Sequence, residues 1–427
     1  MSTRRIRTTL AGVTAVAAAA TALSATPAAA NPAPEADHST AATRTAPSDP
    51  AATRTARDDH AATRAAMDAA VAAGVPGVVA EVRDAHGVWR ATSGVADLTT
   101  RQPRGTGDAF RTGSVTKSLV ATVLLQLQAE GGLDLDATVD HYLPGLVRGN
   151  GHDGTKITVR QLMNHTSGVF NFTEDATFVK QVLGIEFLKT RYDDWTPEQV
   201  IALALRNPPQ FEPGTSWKYS NTNYLLLGLI IEKLTGRPYA DEIERRVTRP
   251  LGMRATYFPG TDPHVPAPTR HYSTFTEDPG TTHDVTELNP SWAWAAGEMI
   301  TNTSDLNRFY TALFTGRLLR PAQLRQMTDT VPTEGNLPSQ RYGLGLIEYE
   351  TTCGIKVWGH SGGIHGSSTQ SFGTRDGRHM ITLNFNGDWV GGGKKVVSAE
   401  FCPPEPPASP AAADTQADPP GVISPDS

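Results

Sequence analysis

The chain reads as an α+β fold in which an antiparallel sheet is built from both ends of the sequence and flanked by helices, with a mostly helical region inserted between. Three observations carry that reading. β-type runs occur at Val78–Arg83 and Val88–Ser93, and again from Tyr342 to Phe385, with turn residues between them. Helix-period apolar stripes fill the middle, each closed by glycine or proline. Strands at both ends with helices between them cannot each bury an apolar face locally, so the two ends must share one sheet.

In chain order, residues 1–30 read as a removable export signal, with Arg4, Arg5 and Arg7 ahead of an alanine-rich apolar run and small residues at Ala28–Ala30. The run is too short and too alanine-rich for a membrane span, and none is expected after its removal. Residues 31–57, in which Ala-Ala-Thr-Arg recurs at a ten-residue spacing, read as a low-complexity linker or pro-segment, because such short copies bury no core. A globular domain is expected over 58–402, starting with a helix from about Asp58 to Ala73. Residues 403–427, with eight prolines, read as a disordered tail.

The first strand pair turns at Asp84–Gly87. A helix is expected from Ser114 through the stripe Leu119, Val120, Val123, Leu124 and Leu127 to Gly131-Gly132. Further helices are expected at Thr158–Asn164, Thr196–Leu205, Thr222–Thr235 and Ser304–Phe314. The later strands are Tyr342–Glu350, Ile355–Trp358, Ser367–Phe372 and His379–Phe385. The glycine-rich stretch Gly359–Gly363 reads as the turn after the second of these. Gly391–Gly393 leaves room only for a shortened or partly frayed terminal helix.

Formal net charge is −6, and −9 once the three signal arginines leave, which excludes nucleic acid as a partner in the absence of a basic stripe. The two cysteines, Cys353 and Cys402, form an even count in a chain read as exported, so a disulfide tying a strand to the C-terminal segment is expected. Histidine spacings fit no metal motif, and Gly393-Lys394 lacks the rest of a phosphate loop, so neither metal nor cofactor is expected.

Three clusters carry chemistry. Ser114-Val115-Thr116-Lys117 places an amine three residues from a hydroxyl on one helix face, where it can take the serine proton. Tyr219-Ser220-Asn221 stands at a helix entrance, where tyrosine can relay a proton and asparagine can orient an amide; the same residues also suit a packing ring and a helix cap. Trp358-Gly359-His360-Ser361-Gly362-Gly363 sets an imidazole, neutral or cationic, beside a hydroxyl and glycines that admit close backbone approach, or else is a simple hairpin turn.

The order Ser-x-x-Lys, Tyr-x-Asn, His-Ser-Gly resembles the penicillin-recognising serine hydrolases, which include class C β-lactamases and D-alanyl-D-alanine carboxypeptidases. The segments Leu162–Gly168, Phe211–Gly214, Thr248–Met253 and Tyr342–Leu346 strengthen that resemblance over about residues 68–402. It is nearest to a secreted bacterial DD-carboxypeptidase/transpeptidase, and it implies a monomeric enzyme acting on cell-wall peptides and acylated by β-lactams. By that resemblance Ser114 is the nucleophile, Lys117 and Tyr219 share the proton transfers, Asn221 orients the substrate amide, and His360 with Ser361 supports the Tyr219 side. The N–H groups of Ser114 and Gly363 form the oxyanion hole beside Gly362, while Trp292 and one of Phe170, Phe172 or Phe178 wall the cleft.

Two departures matter. Carboxypeptidases of this kind carry an arginine for the terminal carboxylate where this chain has Ile347, and threonines where it has Ser361 and Gly363. Loss of a charge-assisted hydrogen bond costs about 1.5–3 kcal/mol. A β-lactamase, esterase or D-aminopeptidase of the same family therefore competes with the carboxypeptidase reading, and a β-lactam sensor that acylates once is a further alternative.

Overall fold

A computed structural model describes residues 60–333 and 339–403. The signal, the linker and nearly all of the proline-rich tail lie outside these residues. Helix α1 (Ala61–Ala72) ends at Gly74, whose φ of +112° suits only glycine. Strands β1 (Gly77–Asp84) and β2 (Gly87–Gly94) follow as a hairpin. Helix α2 (Thr116–Ala129) comes next, preceded by a 3₁₀ turn at Gly113–Val115. Ser114 therefore sits on that turn, immediately before the α-helix rather than within its first α-turn.

The inserted region is helical, as expected. Thr158 and Thr196 each close a capping box with a glutamine three residues on, which sets the starts of the helices Val159–Met163 and Pro197–Leu205. Helix α3 (Asn221–Thr235) ends in a left-handed glycine cap at Gly236, and α4 is Thr303–Phe314. The sheet resumes with β3 (Val331–Pro332), β4 (Gln340–Tyr342), β5 (Ile347–Glu350), β6 (Lys356–Ile364), β7 (Ser367–Gly373) and β8 (Met380–Phe385), and α5 (Gly393–Phe401) closes the fold.

Strand order is β2-β1-β8-β7-β6-β5-β4-β3, and every pairing is antiparallel. The β1–β8 pairing, Val78 opposite Phe385 through Arg83 opposite Met380, joins the two ends of the chain. One sheet face buries Val78, Ala80, Val82, Ile381 and Leu383 with Met67 of α1 and Val396 and Val397 of α5. The other packs on α4, where the buried Glu81 carboxylate receives the side chains of Ser304 and Asn307. Short two-stranded sheets, Phe110–Arg111 with Ile300–Thr301 among them, were not expected.

Two expectations about the C-terminal half are corrected or sharpened. Gly359–Gly363 is not a turn: it lies inside β6, and the chain reverses at His365-Gly366. The glycines are there for close approach, since a Cβ on Gly359 would collide with the Ser371 carbonyl of β7. The terminal helix is short, as expected, but continuous over nine residues, and Cys402 at its end is bonded to Cys353.

The disulfide spans 49 residues. Closing a loop of that size stabilises by about 4 kcal/mol in the chain-entropy model. Changing both cysteines to serine is expected to lower the thermal midpoint by roughly 5 °C while leaving turnover at 25 °C unchanged, because the bond is remote from the cleft. Differential scanning calorimetry of the reduced and oxidised protein checks this, and an unchanged midpoint would show that α5 holds itself.

Candidate active site

The 3₁₀ turn carrying Ser114 is pressed against β6. Gly113, at φ +55°, lies so near Gly363 that a Cβ on it would sit 2.5 Å from that residue's carbonyl oxygen. A Cβ on Gly362 would fall 2.6 Å from the Ser114 nitrogen. Glycine at 113 and 362 is thus the condition for bringing the Ser114 and Gly363 backbones side by side, the arrangement an oxyanion hole requires.

Lys117, one helical turn on, is fully buried. Its Nζ lies 2.9 Å from Ser114 Oγ, 2.7 Å from Asn221 Oδ1 and 2.8 Å from the carbonyl oxygen of Ala296. Burial pushes its pKa well below the ordinary 10.5, and none of those three partners is an anion that could oppose the shift. The partner set also suits a neutral amine. The amide and carbonyl oxygens can only accept, so they take the two N–H bonds, and the remaining lone pair faces the one partner able to donate, the Ser114 hydroxyl. Spacing of side chains could not reveal the Ala296 carbonyl, a backbone group from a distant segment.

Tyr219 immediately precedes Ser220, the extended N-cap residue of α3. Its ring centroid is 4.9 Å from Lys117 Nζ and 4.2 Å from the ring of His165. Asn221 opens α3; its backbone N–H donates to Asn171 Oδ1, and its side chain reaches Lys117 on one side and Thr173 Oγ1, at 3.5 Å, on the other. The first two motifs therefore meet directly through Lys117 and Asn221.

The third motif is placed differently from expectation. His360 is fully buried, with Nε2 at 2.8 Å from the Tyr342 hydroxyl and Nδ1 against the Ser361 carbonyl. Desolvation holds its pKa down at about 3, so of the two charge states that the sequence leaves open it takes the neutral one. Ser361 is also fully buried, and neither Ser361 nor Gly362 lines the cleft, whereas Gly363 does. Strand alternation combined with burial on both faces of β6 accounts for this: only the end of the strand reaches the opening.

The cleft beside Ser114 is walled by Phe172, Trp292, Ala296 and Ile364, with Thr173 and Asn221 as its polar side chains. Trp292 and Phe172 thus stand where expected, while Phe178 packs behind them at 5.6 Å from Trp292. No Arg, Lys, Asp or Glu lines this cleft among the described residues. Ile347 is buried in the second core with Tyr219 and Tyr342 and does not line it either.

Comparison with known proteins agrees with this geometry. The chain is 37% identical over 183 residues to esterase EstB of Burkholderia gladioli, a match covering 42% of this chain and 46% of that one. It is 29% identical over 289 residues to penicillin-binding protein 4* of Bacillus subtilis, covering 65% and 60% respectively. The chain thus spans about half of the length of these curated relatives. Among solved structures, a D-stereospecific amidohydrolase from Streptomyces sp. superposes with a TM-score of 0.76 at 53% identity, covering 80% of this chain and 98% of that one. The family model described as Beta-lactamase matches residues 61–388, and the chain belongs to that family of serine hydrolases.

Proposed function

We propose that this serine hydrolase is an exported amidohydrolase specific for D-amino acid amides, releasing the acyl group through an ester on Ser114. The neutral, aromatic-walled cleft carries the reading: it offers no cation for the terminal carboxylate of a D-alanyl-D-alanine peptide. The likeness to the Streptomyces amidohydrolase, at 53% identity, supports the D preference. The export signal read over residues 1–30 supports action outside the cytoplasm.

In this mechanism the neutral amine of Lys117 takes the Ser114 proton as Oγ attacks the scissile carbonyl. The N–H groups of Ser114 and Gly363 hold the oxyanion, and Asn221 holds the substrate amide. Tyr219 passes a proton to the leaving amine, and water then hydrolyses the ester. Apolar contact with Phe172 and Trp292 selects the acyl side chain.

Parallel assays test the proposal. D-phenylalaninamide is expected to exceed L-phenylalaninamide in kcat/KM by at least about tenfold, the scale on which one misplaced group in an apolar pocket discriminates. Diacetyl-Lys-D-Ala-D-Ala is expected to be cleaved more slowly than the D-amide. Faster cleavage of that peptide would restore the carboxypeptidase assignment, and preference for a short ester without chirality would point to an esterase.

A further inference from the structure

We infer that His165 is a positioning residue for the proposed relay, fixing Tyr219 by clamping the backbone on both sides of it. The Lys218 N–H donates to the His165 carbonyl at 3.1 Å, and the Ser220 N–H donates to His165 Nδ1 at 3.2 Å. The two residues flanking Tyr219 are therefore bonded to one residue, and the Tyr219 ring lies on that residue's imidazole. Side chain, backbone and ring of His165 thus constrain three successive residues of the Tyr-x-Asn loop.

The tautomer follows from the partners. A backbone N–H can only donate, so Nδ1 carries the lone pair and the proton is on Nε2. Asn223 Nδ2 is a second donor to Nδ1 at 3.1 Å, and its orientation is set by the Ser167 hydroxyl, which donates to Asn223 Oδ1 at 2.7 Å. Ser167 and His165 belong to the Leu162–Gly168 segment and Asn223 to the first turn of α3, so the clamp joins that segment to the helix opened by the Tyr219–Asn221 cluster.

His165 also sits where the other clusters converge. Its ring is 4.7 Å from that of Tyr342, whose hydroxyl meets His360, and 5.5 Å from that of Tyr224, over which Lys117 also lies. The residue is fully buried and adopts φ +65°, a left-handed conformation that histidine and asparagine tolerate better than most side chains. Displacing a proton-transfer group by as little as 1 Å costs catalysis far more than binding, because reaction needs alignment that substrate association does not.

The inference rests on Tyr219 acting in proton transfer, and the test uses two near-isosteric amides. In H165N, Oδ1 falls where Nδ1 was, and asparagine accepts the left-handed backbone. In H165Q the acceptor lies one bond farther out. On D-phenylalaninamide H165Q is expected to lose about tenfold to a hundredfold in kcat with KM within about twofold, and H165N to recover to within about threefold of wild type. Asn223→Ala, which removes one of the two bonds to Nδ1, is expected to lower kcat by about threefold to tenfold with KM unchanged, and it carries the test should H165Q not fold. Wild-type kcat in the folded variants, equal losses in H165N and H165Q, or a loss confined to KM overturns the inference. Acylation of Ser114 by a fluorescent penicillin is followed in parallel. A wild-type protein that reacts with penicillin but not with the D-amide defeats the substrate assignment alone, and the same ratios are then read from the acylation rate.

Discussion

Ser114→Ala is expected to abolish turnover, with kcat falling by roughly 10⁴ to 10⁶ as in other serine hydrolases stripped of the nucleophile. Ser114 lines the cleft with its Oγ 2.9 Å from Lys117 Nζ, the hydroxyl placed for attack. Stability should be unchanged or higher, because the nucleophile is placed on a tight turn for function and not for packing. Steady-state assays on the D-amide with thermal melts of both proteins measure the two effects together. Residual activity above about one part in a thousand would mean that Ser114 is not the attacking group.

Lys117→Met is expected to lower kcat by about 10² to 10⁴, the range for loss of a positioned general base. The pH profile separates this role from simple packing. Burial holds the Lys117 pKa well below 10.5, so the working neutral amine persists to lower pH than in a free lysine and is lost as the pH falls through the depressed value. Activity of the wild type should accordingly decline on the acid side, and that limb should be absent from Lys117→Met. A limb that survives belongs to another group, for which Glu298 is the nearest candidate in sequence to the Ala296 carbonyl. It is buried against the Tyr239 hydroxyl, with desolvation raising its pKa to about 7. His165 and His360 contribute no limb near neutrality, since burial lowers both, His360 to about 3. The stability sign is fixed by the same shift. Below 10.5 the unfolded chain binds a proton that the folded chain does not hold, so this lysine's contribution to stability falls with falling pH until the folded pKa is passed.

Much of the fold was legible because its elements are locally consistent. The Asp84–Gly87 hairpin, the capping threonines at 158 and 196, and the glycine after α3 each determine their element from a few adjacent residues. Ser114 and Lys117 were legible for the same reason, since a fixed spacing on one helix sets their geometry. His360 was not. Glycines at 359, 362 and 363 look like a turn to local reasoning, yet two of them are required by a neighbouring strand and by the Ser114 turn, contacts that only the folded sheet creates. His165 stood inside a segment noted for resemblance alone, and nothing local marks Nδ1 as the acceptor for an N–H 55 residues away. The Ala296 carbonyl leaves no trace in side-chain chemistry at all.

The carboxylate question also changes with the structure. Ile347 stands where the resemblance places an arginine, but it is buried in the core cluster that also holds Tyr219 and does not line the cleft. The residues that do line the opening include Phe172, Trp292, Thr173 and Gly363, and the proposed D-amide preference is assigned to them.

The most direct measurement is rapid acid quenching of the full chain during turnover of an activated D-phenylalanine ester, followed by peptide mass spectrometry. An ester makes acylation fast, so the covalent intermediate accumulates before water removes it. The expected result is one D-phenylalanyl adduct on the peptide containing Ser114, absent from Ser114→Ala and formed faster than the corresponding adduct from the L-ester. Product released with no adduct, or an adduct on any other residue, would contradict the acyl-enzyme at Ser114.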